Sequence, residues 1–226
     1  EAAKYYQLFI NEGFKDERVF SNYGVILKNL GKLEEAKISQ CKAIELNPNF
    51  ADAHLNLGNI FRDLANLQEA ELSYRKAIKL NPNFANAYLN LGNIFYDLGN
   101  LKEAEFLQRK AIELKPNCAE AHSNLGNILK DLGQSHQAEV SLRKAIELNP
   151  NFAEAHSNLG IILKDLAKLQ EAELSYRKAI EIKPDFAEAH YNLGVLLNDL
   201  GKLKDAEFST RKAIELNPYL VTSYQN

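Results

Sequence analysis

Asparagine returns once every 34 residues through this chain, as Asn22, Asn56, Asn90, Asn124, Asn158 and Asn192. A side-chain amide has an acceptor oxygen and an N–H2 donor, so it pairs with both the C=O and the N–H of an extended peptide. A row of such amides would grip a backbone with little regard to its side chains. A shorter series, Asn59, Asn93 and Asn127, lies three residues after Asn56, Asn90 and Asn124. On a helix each such pair shares a face. The matching positions elsewhere hold Val25, Ile161 and Val195. The stretch Asn56–Asn127 is therefore expected to hold a backbone hardest. Asparagine is a mediocre helix former, so six copies inside helices need a reason. The competing reason is structural, with each amide bonded to neighbouring backbone or to water.

Other chemistry finds less support. His54, His122, His156 and His190 share one position of the period, and Tyr88 takes it in another copy. A metal ligand would not be exchanged that way. Stacked helices also sit about 8–10 Å apart, whereas zinc holds its ligands at about 2 Å. These histidines are expected to pack as aromatics, and His136 to stand exposed in a turn. Cys41 and Cys118 have no nucleophile constellation around them. No phosphate-cradling glycine loop or nucleophile elbow occurs. Acid pairs follow the repeat symmetry that a catalytic pair should break. No catalytic residue, metal or cofactor is expected.

The elements that position the asparagines follow from the same period. Pro48, Pro82, Pro116, Pro150, Pro184 and Pro218 keep it, as do Gly24, Gly58, Gly92, Gly126, Gly160 and Gly194. Two alanine series start at Ala36 and Ala43. Six complete copies cover 17–50, 51–84, 85–118, 119–152, 153–186 and 187–220. Residues 1–16 read as the second helix of a preceding copy plus a linker, with Ala2 at the small position. Residues 221–226 read as the start of another, with Tyr224 and Asn226 in register. In 119–152, Leu125, Ile128, Leu129 and Leu132 form one helical stripe, and Gly133 offers a stop. Ala138, Leu142, Ala145, Ile146 and Leu148 continue a second helix that Pro150 ends. Asn151, with Glu154 three residues on, reads as the next N-cap. Gly126 and Ala138 mark where the paired helices approach closely. One copy cannot bury its stripe alone, so the stack supplies the core.

These residues carry a resemblance. His122, Leu125-Gly126, Leu129, Ala138, Leu142, Ala145 and Pro150 match the pattern of the tetratricopeptide repeat (TPR) family, and every copy matches at the Gly, both Ala and the Pro. The second-helix aromatic survives as Tyr74 and Tyr176 and is Gln40, Gln108, Leu142 and Thr210 elsewhere. Phe20 and Tyr23 also depart from the later copies. The resemblance implies an all-α, right-handed superhelical solenoid of helix-turn-helix units whose first helices line a concave groove. The motif AHSNLGNILKDLG is similar to the TPR part of O-GlcNAc transferases, which has an asparagine ladder. It implies a scaffold that binds a protein or peptide partner in extended conformation. The alternative is the substrate-recruiting segment of a larger enzyme such as a protein glycosyltransferase.

Charge narrows the partner. The chain carries 27 Lys+Arg against 30 Asp+Glu and is 46% hydrophobic, which excludes disorder and gives no basic face for nucleic acid. No run is long and apolar enough to cross a membrane, and a cytoplasmic location is expected. Three groove columns start at Arg18, Lys28 and Asn29 and sum to five positive against nine negative positions. That sum disfavours an acidic ligand and a carboxylate clamp, although helix-terminus preference accounts for much of it. On the opposite face, pairs such as Glu71–Arg75 and Glu139–Arg143 read as solvated. The chain lacks Met and both ends cut through a copy of the period, as expected of a window cut from a longer array. Uncapped repeat ends would support end-to-end self-association.

Overall fold

The structure is a computed structural model that describes residues 2–13 and 15–219. Among these residues thirteen α-helices follow one another. They are α1 (Ala2–Asn11), α2 (Glu17–Asn29), α3 (Leu33–Leu46), α4 (Ala51–Asp63), α5 (Leu67–Leu80), α6 (Ala85–Asp97) and α7 (Leu101–Leu114), then α8 (Ala119–Asp131), α9 (Ser135–Leu148), α10 (Ala153–Asp165), α11 (Leu169–Ile182), α12 (Ala187–Asp199) and α13 (Leu203–Leu216). The all-α helix-turn-helix architecture is as the period demands. The expected roles of the Ala2 side chain and of 221–226, with Tyr224 and Asn226, lie outside what is described.

The helices form two compact units, Glu1–Pro116 and Asn117–Asn226. In the first, α2 packs on α3, α4 on α5 and α6 on α7, and α1, α3 and α5 each bridge to the next pair. In the second, the pairs are α8 with α9, α10 with α11 and α12 with α13. First helices of neighbouring pairs also touch directly, α2 with α4, α8 with α10 and α10 with α12.

Small residues set the spacing within each pair. Ala36, Ala70, Ala104, Ala138 and Ala172 are fully buried. A Cβ added at Gly58 would lie 2.5 Å from Tyr74 Cε1, one at Gly160 2.6 Å from Tyr176 Cε1, and one at Gly126 2.6 Å from Leu142 Cγ. The Tyr74, Tyr176 and Leu142 side chains are buried in the space that glycine leaves.

The turn inside each pair needs a left-handed residue. Gly133 sits at φ 73°, with its N–H bonded to Lys130 O and the Gln134 N–H to Leu129 O, both at 2.8 Å. This is a Schellman closure. Ala65 and Ala167 adopt the same conformation at φ 60° and 58° despite their Cβ. The loop between pairs departs from expectation. Helix α10 begins at Ala153 with Phe152 as N-cap and no side-chain cap bond, so Asn151 does not cap it. Instead Asn149 Oδ1 accepts the Asn151 N–H at 3.2 Å across Pro150. The preceding residue is held extended at φ −138°, as proline requires of its neighbour.

Two glutamates of the second helices are less solvated than their sequence pattern implies. The side chains of Glu139 and Glu173 are only 11% and 14% exposed. Besides Arg143 and Arg177, each meets a lysine of the next pair: Lys168 on Glu139 at 2.8 Å and Lys202 on Glu173 at 2.7 Å. Burial pushes the Glu139 carboxyl up, but hydrogen bonds from Lys168 and Arg143 outweigh it and leave it below its ordinary value. At Glu173 the Lys202 hydrogen bond leads and gives the same direction against burial.

Two predictions follow from this fold. Replacing Ala65 and Ala167 by Gly is expected to stabilise by about 0.5–1 kcal/mol each, the left-handed cost of a Cβ less glycine's entropy, seen as a higher urea midpoint at unchanged m. The lowered Glu139 and Glu173 values contribute stability that is present above the ordinary glutamate value of 4.5. That stability is lost as pH falls through the folded values. A Lys168→Met, Lys202→Met variant should lose about 0.5 kcal/mol per pair near neutrality, and its urea midpoint should fall less steeply below that value.

Candidate functional site

The periodic asparagines sit in the middle of the first helices. Asn22 is exposed, and Asn56, Asn90, Asn124, Asn158 and Asn192 are half-buried, as are Asn59, Asn93 and Asn127. In the first unit several of these amides bond sideways. Asn56 Nδ2 donates to Ser21 Oγ at 3.2 Å. Asn90 Nδ2 donates to Asn59 Oδ1 at 2.8 Å, and the Tyr74 hydroxyl donates to that same oxygen at 2.9 Å. Gln108 Nε2 donates to Asn93 Oδ1 at 2.8 Å and to Leu89 O at 3.1 Å. The structural role weighed for asparagine is therefore real here, though the partners are side chains of neighbouring elements. Burial raises the Tyr74 phenol to about 12, so it stays protonated as a donor.

The second unit is different. A groove of about 570 Å³ opens along α8 and the start of α10, lined by Glu120, Ser123, Asn124, Asn127, Glu154 and Asn158 among others. Ser123 is 2% exposed. Its hydroxyl and the amides of Asn127 and Asn158 have no hydrogen-bond partner among the described residues. Three polar groups thus face one groove with their bonding capacity open. The sequence could not single them out, because Asn127 and Asn158 share their period positions with amides that are bonded.

The charges of the three first-helix columns also pair. Lys28 meets Asp63 of the next pair at 2.8 Å and Lys164 meets Asp199 at 2.9 Å. Lys130 lies 3.2 Å from Asp131. The columns that read as free helix-end charges largely neutralise each other. Glu154 is bonded to Lys183 at 3.2 Å, while Asp52, Glu120 and Glu188 have no ion-pair partner among the described residues. The residual charge at the helix starts is negative.

The histidine column has a defined role beyond aromatic packing. The Nε2 atoms of His54, His156 and His190 lie 3.1, 3.0 and 3.0 Å from the carbonyls of Pro48, Pro150 and Pro184. Each ring ties a first helix to the loop before it. His136 is exposed in the first turn of α9. No group of three metal-ligating side chains gathers among the described residues. Cys41 is exposed and Cys118 half-buried, and desolvation pushes the Cys41 thiol up, away from the reactive thiolate.

Comparison with known proteins agrees with this geometry. Profiles described as TPR repeat match residues 58–99, 92–133 and 162–201. Profiles described as tetratricopeptide repeat match 119–152 and 187–220, 17–50, and 42–71 with 141–173. No curated protein matches the chain. Among solved structures, YrrB, described as a TPR protein with an unusual peptide-binding site, is 30% identical over 82% of this chain and 96% of its own, with a TM-score of 0.66. MamA is 28% identical over 74% of this chain and 97% of its own, with a TM-score of 0.64. PilF of Pseudomonas aeruginosa is 22% identical over 92% and 96%, and its TM-score of 0.83 speaks to the fold alone. With its period, its helix pairs and these matches in agreement, the chain belongs to the tetratricopeptide repeat family.

Proposed function

We propose that the chain is a non-enzymatic protein-interaction scaffold whose first-helix groove holds an extended peptide by its backbone through the asparagine ladder. The open bonding capacity of Ser123, Asn127 and Asn158 around one groove carries this reading. An amide that is half-buried and unbonded gains from a ligand that supplies both a C=O and an N–H. An extended peptide does so at every residue. YrrB, the relative at 30% identity, is itself described as having a peptide-binding site. The reading moves the strongest grip from Asn56–Asn127 as a whole toward Asn127 and Asn158, since Asn59 and Asn90 bond to each other. The unpaired Glu120 favours a neutral or basic ligand over an acidic one.

The probe is the blocked peptide acetyl-Ala-Ala-Lys-Ala-Ala-amide, titrated into 15N-labelled protein. Asn127→Ala and Asn158→Ala should each weaken binding about fivefold, as expected for about 1 kcal/mol per hydrogen bond. Unchanged affinity in both folded variants would remove the ladder from the mechanism.

The same reading includes self-association at the end of the second unit. Leu203, Phe208 and Ile214 are 66%, 71% and 43% exposed on α13, and a hollow of about 700 Å³ lies between α12 and α13. Light scattering is expected to show mass rising with concentration. A monomer at millimolar concentration would contradict it.

A further inference from the structure

The six ladder positions differ in what stands behind them. Three residues after Asn56 and Asn90 come Asn59 and Asn93, and a second-helix donor backs each. Tyr74 supplies its hydroxyl to Asn59 and Gln108 its amide to Asn93. The Asn59 oxygen also accepts from Asn90, so both its lone pairs are used. Three residues after Asn22, Asn158 and Asn192 the chain has Val25, Ile161 and Val195, which present nothing to a peptide backbone. The fourth copy combines the two halves differently. Asn127 is present, but the residue behind it is Leu142, which has no donor. Asn127 has no hydrogen-bond partner among the described residues and lines the groove.

From this we infer that the buried second-helix residue behind the groove is the specificity-determining switch for peptide binding, and that Leu142 opens the groove at Asn127. The inference rests on the peptide-binding reading and deepens it. Leu142 never meets the ligand. It is fully buried against Gly126. It acts by leaving the Asn127 oxygen free for a peptide N–H while the amide N–H2 takes the adjacent C=O. Asn59 and Asn93 each give up acceptor capacity to the core and offer a peptide less.

The niche can host the alternative residue. Gly126 faces Leu142 as Gly58 faces Tyr74 and Gly160 faces Tyr176, with Cβ approaches of 2.6, 2.5 and 2.6 Å. Tyrosine at 142 should enter as it does at 74 and 176, with its hydroxyl directed at Asn127.

Two readouts keep the switch separate from the peptide reading. In ligand-free 15N-labelled protein, the Asn59 side-chain amide signals should be displaced from those of Asn127, because the Asn59 oxygen accepts two hydrogen bonds, and Leu142→Tyr should make Asn127 resemble Asn59. Tyr74→Phe should do the reverse at Asn59. Signals of Asn127 that are the same in wild type and in folded Leu142→Tyr overturn the switch, whatever the peptide does. In titration with acetyl-Ala-Ala-Lys-Ala-Ala-amide, Leu142→Tyr should lose about fivefold in affinity, the worth of one hydrogen bond. The Leu142→Tyr, Asn127→Ala double variant should lose no more than Asn127→Ala alone. Weakening by Asn127→Ala without weakening by Leu142→Tyr leaves peptide binding standing and removes the switch. Equal binding by wild type, Asn127→Ala and Asn158→Ala removes the ladder reading, and the ligand-free signals still decide whether Leu142 controls Asn127.

Discussion

The close approach of each first helix to its second helix depends on a glycine that has no room for a Cβ. At Gly58 an added Cβ would lie 2.5 Å from the Tyr74 ring, and at Gly160 it would lie 2.6 Å from that of Tyr176. With glycine there, the second-helix side chain passes beneath the first helix and fills the space between the pair. The buried alanines on the other helix complete the approach. Because that side chain runs through the pair, its far end reaches the asparagines of the first helix. The Tyr74 hydroxyl bonds to Asn59 at 2.9 Å. A residue that fills the core therefore also sets which first-helix amides are already bonded.

Polar groups obey the same economy elsewhere. Lys28 and Asp63, and Lys164 and Asp199, lie at the ends of first helices and take each other as partners. On the other face, Glu139 and Glu173 are shielded from water and each collects an arginine of its own helix and a lysine of the next pair. The histidines take proline carbonyls that the broken helix ends leave free. Not every account closes. Gln40 Oε1 and Gln108 Oε1 are buried without a partner, which is a cost in stability where tyrosine or leucine stands in other copies.

Much of the fold was legible in the chain because its causes are local. A proline every 34 residues ends a helix wherever it falls. Apolar stripes such as Leu125, Ile128 and Leu129 need a partner helix wherever they fall, and these three are buried as their spacing requires. Gly126 and Ala138 read as points of close approach, and they are. The expected cap at Asn151 failed because the polar side chain before the proline, Asn149, turns the chain first. The glutamate–arginine pairs read as solvated because their (i, i+4) spacing shows nothing of the lysine that arrives from the next pair.

By itself, then, the sequence determined the period, the two helices of each copy, the stacking that buries them and the position of the asparagines on the first helix. These follow from neighbours in sequence and from a repeat that, within each unit, makes one copy the packing partner of the next. Which asparagines remain open to a ligand was decided only in the tertiary structure. Asn59 is bonded by Tyr74, 15 residues away, and by Asn90, 31 residues away. Whether those groups meet depends on helix spacing, side-chain direction and the residue buried between them. Identical letters at identical period positions thus end up with different chemistry, because a hydrogen bond is satisfied by proximity in space.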